Sequence, residues 1–170
     1  MPVTSSLPSR ALARAFCFPH QRSLHMLTTT SPQLIPITSV LVANRGEIAL
    51  RVGRTASELG VRCTNVYTDT DAYSQHALSS PFSVNIGGVS AYLDGERIIS
   101  VAKQHGCQAL HPGYGFLSEN SKFAKRCVEE GLIFIGPPWN AIEAMGSKSR
   151  SKDIMTKAGV PCIPGYHGAN

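Results

Sequence analysis

Five short stretches of this 170-residue chain are candidate site segments, all but one of them carrying side chains able to bind charge or move a proton. The densest is His111-Pro112-Gly113-Tyr114-Gly115-Phe116-Leu117-Ser118-Glu119-Asn120, where a histidine, a carboxylate and two aromatic rings sit among glycines. Glycine opens backbone conformations closed to other residues and Pro112 restrains the chain, so this run predicts a rigid loop that walls a binding site. Taken singly, His111 reads more readily as a structural histidine, and Phe116 and Leu117 as core. Asn44-Arg45-Gly46-Glu47 has one glycine where a dinucleotide fingerprint needs three, and its Arg45 and Glu47 would obstruct a pyrophosphate. A nicotinamide cofactor is therefore disfavoured, although Asp69 in Thr68-Asp69-Thr70-Asp71 stands where an acid could meet a ribose. Arg45 and Glu47 read as readily as a helix cap and an ion pair that holds their loop. Gly136-Pro137-Pro138 is a fourth candidate loop. Gly146-Ser147-Lys148-Ser149 is not a P-loop, which needs adjacent Gly-Lys and a further glycine where Ala141 stands. Lys148 still offers a point charge to a phosphate oxygen near a helix start; alone, it reads better as a solvated surface lysine.

The segments between these stretches must position them. Short apolar runs at 39–43, 61–67, 82–86, 107–110 and 132–135 read as buried strands. Between the first two, Ile48, Ala49, Val52, Ala56 and Leu59 recur at helical spacing, and Gly60 supplies a stop. Asp94 is placed to cap a helix carrying Ile98, Val101 and Ala102 that Gly106 ends. Ser118 is read as the cap of another, with Phe123, Ala124, Cys127 and Val128 on one face and Gly131 as terminator. Two more helical stretches follow, at about 140–145 and 149–158. Alternating strands and helices predict an α/β fold: a doubly wound, mostly parallel sheet with helices on both faces. Ligands of such sheets bind beyond the carboxyl ends of the strands, where four of the five stretches fall.

Charge and composition narrow the function classes. The formal net charge is +5, but Arg10, Arg14 and Arg22 lie in a 36-residue leader without Asp or Glu. Of the 16 Lys and Arg, 13 remain beyond it against 11 Asp and Glu, so the body is nearly neutral and a nucleic-acid partner loses its support. No apolar run approaches the roughly 20 residues that span a bilayer, which argues against a membrane partner. The Ser/Thr-rich, Arg-bearing leader has the composition of a mitochondrial presequence, and its apolar run at 15–18 is short for a secretory signal. Cys17, Cys63, Cys107, Cys127 and Cys162 are odd in number and scattered, with no C-x-x-C, so they read as small core residues of a reducing compartment rather than disulfides or a zinc site.

Four motifs, in order, carry a resemblance. Val42-Ala43-Asn44-Arg45-Gly46-Glu47-Ile48-Ala49, the 111–120 run, Phe134-Ile135-Gly136-Pro137 and Met145-Gly146-Ser147-Lys148 are together similar to the N-terminal domain of biotin carboxylase, the ATP-dependent component of acyl-CoA and pyruvate carboxylases. The resemblance runs from about Ile37 to the last residue. Gly159-Val160-Pro161 and Pro164-Gly165-Tyr166-His167-Gly168 are most similar to the biotin-containing subunit of a mitochondrial acyl-CoA carboxylase. The resemblance implies three segments: a transit peptide and linker at 1–36, a biotin carboxylase N-terminal domain at 37–158, and at 159–170 the start of a linker toward an ATP-grasp domain.

It also implies a reaction in which ATP activates bicarbonate as carboxyphosphate and the carboxyl group passes to biotin, in the mitochondrial matrix. By position, Lys148 matches a lysine on the nucleotide phosphates, which reverses the reading of that residue alone. Tyr114 matches a tyrosine bordering the biotin pocket, and Glu119 shapes the same region. Arg54 and Glu58 match a homodimer contact; their plain reading is an i,i+4 surface ion pair. The family's nucleotide lid, magnesium-binding glutamates and bicarbonate-binding arginines match no residue here. ATP, Mg2+ and biotin are thus expected in the complete enzyme, a homodimeric biotin carboxylase working with carboxyltransferase β subunits. No catalytic residue or metal ligand is assigned within this chain, and weak cofactor binding and no carboxylase activity are expected of it alone. A non-catalytic module pairing with full-length subunits through Arg54 and Glu58 is the alternative.

Overall fold

The near-continuous apolar run Ser39-Val40-Leu41-Val42 forms β1 (Ser39–Val42), with all four residues buried as in the centre of a parallel sheet. The structure, a computed structural model, describes residues 35–164. Residues 1–34 of the leader, Cys17 among them, and Gly165-Tyr166-His167-Gly168 lie outside them. β2 (Arg62–Tyr67), β3 (Val84–Asn85), β4 (Ala109–His111) and β5 (Ile133–Phe134) complete a parallel sheet of order β3-β2-β1-β4-β5. The chain steps outward from β1 to β3, then crosses back to β4 on the other side of β1. With the right-handed crossovers that parallel strands require, this reversal puts the helix before it, Gly46–Glu58, and the helices after it, Gly95–Gln104 and Ser121–Glu129, on opposite faces.

Side-chain alternation in β1 shows the two layers. Leu41 and Ala43 join Val66, Ile98, Leu110, Phe123 and Cys127 in the larger core, beneath α3 (Gly95–Gln104) and α4 (Ser121–Glu129). Val40 and Val42 meet Ala49, Val52 and Ala56 of α1 (Gly46–Glu58) on the other face. The predicted α/β doubly wound architecture is thus the observed one. Beyond β5, α5 (Trp139–Gly146) and α6 (Lys148–Lys157) have no buried residue. Among the described residues, no helix is long and apolar enough to cross a membrane.

Three local readings change. Ser118 does not cap α4; the chain first makes a turn, Ser118 N–H to Gly115 O at 2.9 Å, and Asn120 Oδ1 accepts from Phe123 N–H at 3.0 Å. Asn and Ser cap equally well, so the loop's turn decides between them. The short helix α2 (Gln75–Leu78) and the 3-10 turns Asp69–Asp71 and Val89–Leu93 lack an apolar repeat long enough to announce them. Cys107 and Cys127 are core residues as expected, and burial pushes the Cys127 thiol up to about 12 and that of half-buried Cys63 to about 11. Cys162 stands apart from that core, beyond α6.

Asn120→Ala is expected to lower unfolding stability in urea by about 1 kcal/mol and Ser118→Ala by less than about 0.5 kcal/mol. The reverse order would restore Ser118 as the cap.

Candidate functional site

Where the winding reverses, the carboxyl ends of β1 and β4 part and leave an open crevice of about 370 Å³. Asn44, Arg45, Gly46 and Glu47 form one wall; Tyr114, Gly115 and Phe116 form the other. The walls are tied by Asn44, which is buried: its Nδ2 donates to Pro112 O and to Tyr114 O, both at 2.9 Å, while its Oδ1 accepts from Arg45 N–H at 2.9 Å. Gly113 passes directly over this amide with φ +68°; a Cβ there would collide with the Asn44 side chain and lie 2.8 Å from Ile48 Cγ2. His111 Nδ1 accepts from Gly113 N–H at 3.0 Å, the structural use open to it from sequence. Phe116 has φ +43°, a left-handed backbone that non-glycine residues rarely hold.

The first wall is braced from below. Arg45 donates Nε–H to Asp71 Oδ2 at 2.8 Å and pairs with Oδ1 through its second nitrogen. The same carboxylate accepts from Tyr92 OH at 2.8 Å and Thr68 Oγ1 at 3.4 Å. The Arg45 bond holds the Asp71 carboxyl down to about 2. His76 closes the cluster, Nδ1 against Ser74 Oγ at 2.8 Å and Nε2 near Tyr92 OH at 3.4 Å. The ion pair foreseen for this loop therefore exists, but Arg45 caps nothing with its side chain and its partner is Asp71, not Glu47, which is exposed. Asp69 instead accepts from Asn85 Nδ2 at 2.9 Å.

The sequence-predicted site residues fall in three places. Tyr114 is exposed on the crevice wall. Glu119 is exposed in the same loop but outside the crevice lining. Lys148 is the exposed first residue of α6, whose N-cap Ser147 Oγ accepts from Arg150 N–H at 3.4 Å. Among the described residues its ammonium pairs with no carboxylate, so its charge is free for a phosphate. Arg54 and Glu58 are exposed on α1 without an ion pair between them; Arg54 borders a separate groove with Arg62 and Phe82. No group of three or more His, Cys, Asp or Glu among the described residues gathers to hold a metal. Sequence reasoning missed Asn44 as a clamp and Asp71 and Tyr92 as a brace. Asn44 stood at a strand end, a usable signal; nothing local links Tyr92 to Asp71.

Residues 36–142 match the family model for the biotin carboxylase N-terminal domain. The chain belongs to that family. Relatives of this biotin carboxylase domain include the mitochondrial methylcrotonoyl-CoA carboxylase subunit alpha of Dictyostelium discoideum, 62% identical over 136 residues, covering 78% of this chain and 20% of that protein. The Mus musculus counterpart is 55% identical over 135 residues, 78% of this chain and 19% of that one. The chain thus spans about a fifth of these relatives. Among solved structures, the biotin carboxylase domain dimer of Hydrogenobacter thermophilus 2-oxoglutarate carboxylase, in complex with MgADP, ADP and bicarbonate, superposes with TM-score 0.74 at 47% identity, over 78% of this chain and 30% of that one. The K. lactis urea amidolyase structure matches equally well in shape, at 45% identity over 78% of this chain and 8% of its own.

His76 and His111 give the site a pH dependence. Burial, as the leading cause, holds both imidazoles below their ordinary 6.5, with Arg45 adding for His76 and Arg51 for His111. The unfolded chain therefore binds more protons just below that value, and the stability present above it is lost as pH falls. The melting temperature is expected to decline as pH drops from about 7.5 to about 5.5, less steeply in His76→Gln. A rise over that window would contradict this assignment.

Proposed function

We propose that this chain is the N-terminal part of an ATP-dependent biotin carboxylase of the methylcrotonoyl-CoA carboxylase alpha type, acting in leucine breakdown in the mitochondrial matrix. The observation that supports it most is the joint placement of the 44–47 and 111–116 stretches on one crevice at the sheet's switch point, tied by Asn44. Relatives named as mitochondrial carboxylase alpha subunits, and a leader of presequence composition, support the narrower assignment.

In the complete enzyme ATP supplies the activation of bicarbonate. Lys148 would hold the nucleotide phosphates: an unpaired ammonium opening a helix, near the positive end of its dipole, suits an anion. Tyr114 offers an exposed ring and hydroxyl as a wall for biotin's ureido group, and Glu119 shapes the loop that carries it. Mg2+ would be held by residues outside the described ones. Arg54 and Glu58 would meet a second biotin carboxylase subunit, and the dimer would work with carboxyltransferase β subunits. We read residues 1–36 as transit peptide and linker, 37–158 as the domain, and 159–170 as the start of a linker to an ATP-grasp domain.

Grafting residues 37–158 in place of the matching region of the Mus musculus subunit tests this. The graft is expected to retain bicarbonate-dependent ATP hydrolysis with free biotin. Lys148→Ala should raise KM for ATP roughly ten- to hundredfold, the loss of one charge-assisted contact. Tyr114→Ala should raise KM for biotin instead. A folded but inactive graft, or a Lys148→Ala graft with unchanged KM for ATP, would overturn the assignment.

A further inference from the structure

Tyr92 lies in the 3-10 turn Val89–Leu93, outside every motif of the sequence, yet it touches the supports of both crevice walls. Its side chain is buried, 2% exposed. Its hydroxyl donates to Asp71 Oδ2 at 2.8 Å, and Asp71 in turn grips Arg45 of the first wall. Its ring stacks on Phe116 of the second wall, with centroids 5.3 Å apart and planes 18° from parallel. Phe116 is the described non-glycine residue with a left-handed backbone, at φ +43°, a conformation that costs roughly 1–2 kcal/mol and persists only where surroundings impose it. The Tyr92 ring is the aromatic surface against which Phe116 packs in that conformation.

We propose that Tyr92 is a positioning residue for the crevice, fixing through one rigid ring both the Arg45 guanidinium and the Phe116 turn that presents Tyr114. An aromatic ring suits this role because its two torsions are locked by packing, so hydroxyl and ring face hold a constant separation. The hydroxyl stays a donor: burial, then the Asp71 carboxylate, push its pKa up to about 12. Arg45 alone would be a weak brace, since its half-exposed side chain makes the pair with Asp71 partly screened by solvent. A second, buried donor on the same carboxylate keeps Asp71 aimed at Arg45. The consequence for catalysis rests on reading the crevice as the biotin-side wall; the geometric claim does not.

The test uses the full 170-residue chain labelled for NMR, with Tyr92→Phe, Tyr92→Leu and Phe116→Leu. Tyr92→Phe keeps the ring and removes the hydroxyl; it should speed exchange of the Arg45 Nε–H about tenfold while the Phe116 ring signals stay in place. Tyr92→Leu should move both sets, together with the Tyr114 and Gly115 amides. Phe116→Leu should move the second wall alone. Should Tyr92→Leu not fold, Tyr92→Phe and Phe116→Leu still decide. In the graft, Tyr92→Leu should raise KM for biotin about fivefold with KM for ATP within about twofold, a split that general loss of folded enzyme does not produce. Arg45 exchange unchanged in Tyr92→Phe, or Phe116 and Tyr114 signals unchanged in Tyr92→Leu, would overturn the proposal; a biotin KM unchanged in Tyr92→Leu would overturn its consequence for catalysis. An inactive wild-type graft would instead count against the functional reading, leaving the NMR comparison to judge Tyr92.

Discussion

A buried carboxamide must find partners for its donors and acceptor, and Asn44 finds them in both halves of the fold. It lies two residues beyond β1, the central strand, and its amide reaches the backbone of a loop nearly 70 positions later. Removing it leaves two carbonyls without that donor and the Arg45 N–H without that acceptor, a cost of about 1–3 kcal/mol per group where water cannot enter. Gly113 exists for the same reason: only a residue without Cβ passes over the amide at this distance. The amide holds the loop at the Pro112 and Tyr114 carbonyls, with the Tyr114 side chain exposed beyond them.

The two layers of the sheet supply the frame for that pin. Leu41 and Val42 face opposite cores, so β1 is locked from both sides and its carboxyl end is a fixed point. The polar cluster below the first wall adds electrostatic order. Asp71 ionises easily because Arg45 and Tyr92 donate to it, so its contribution to stability is present above the ordinary carboxylate range and is lost only as pH falls toward about 2. The histidines give way earlier, as pH falls below 6.5, and set the acid side of the stability profile.

Much of the fold was legible in sequence because its signals are local. Strand runs, the apolar face of α1 and the Asp94 cap are each written in one short stretch of chain, and their alternation along the sequence makes the doubly wound sheet. Ser118 misled because cap propensity cannot see that the loop spends its Ser118 N–H on a turn to Gly115. α2 was invisible because four residues carry no period. The site was legible as two motifs but not as one object. The resemblance named Tyr114, Glu119, Lys148, Arg54 and Glu58, of which only Tyr114 stands on the crevice. The contacts that make the crevice, Asn44 to Tyr114 and Tyr92 to Asp71 and Phe116, join residues with no local pattern between them, and only the topology brings them together.

The central claim is that Asn44 holds the 111–120 loop in its shape, and amide hydrogen exchange in Asn44→Ala and Asn44→Asp tests it most directly. The Ser118 N–H, bonded to Gly115 O within the loop, should lose protection in both variants, while the Leu41 and Leu110 amides of the sheet keep theirs. Asn44→Asp is expected to fare no better than alanine, because a carboxylate cannot donate to the Pro112 and Tyr114 carbonyls. Unchanged protection at Ser118 in either variant would contradict the account.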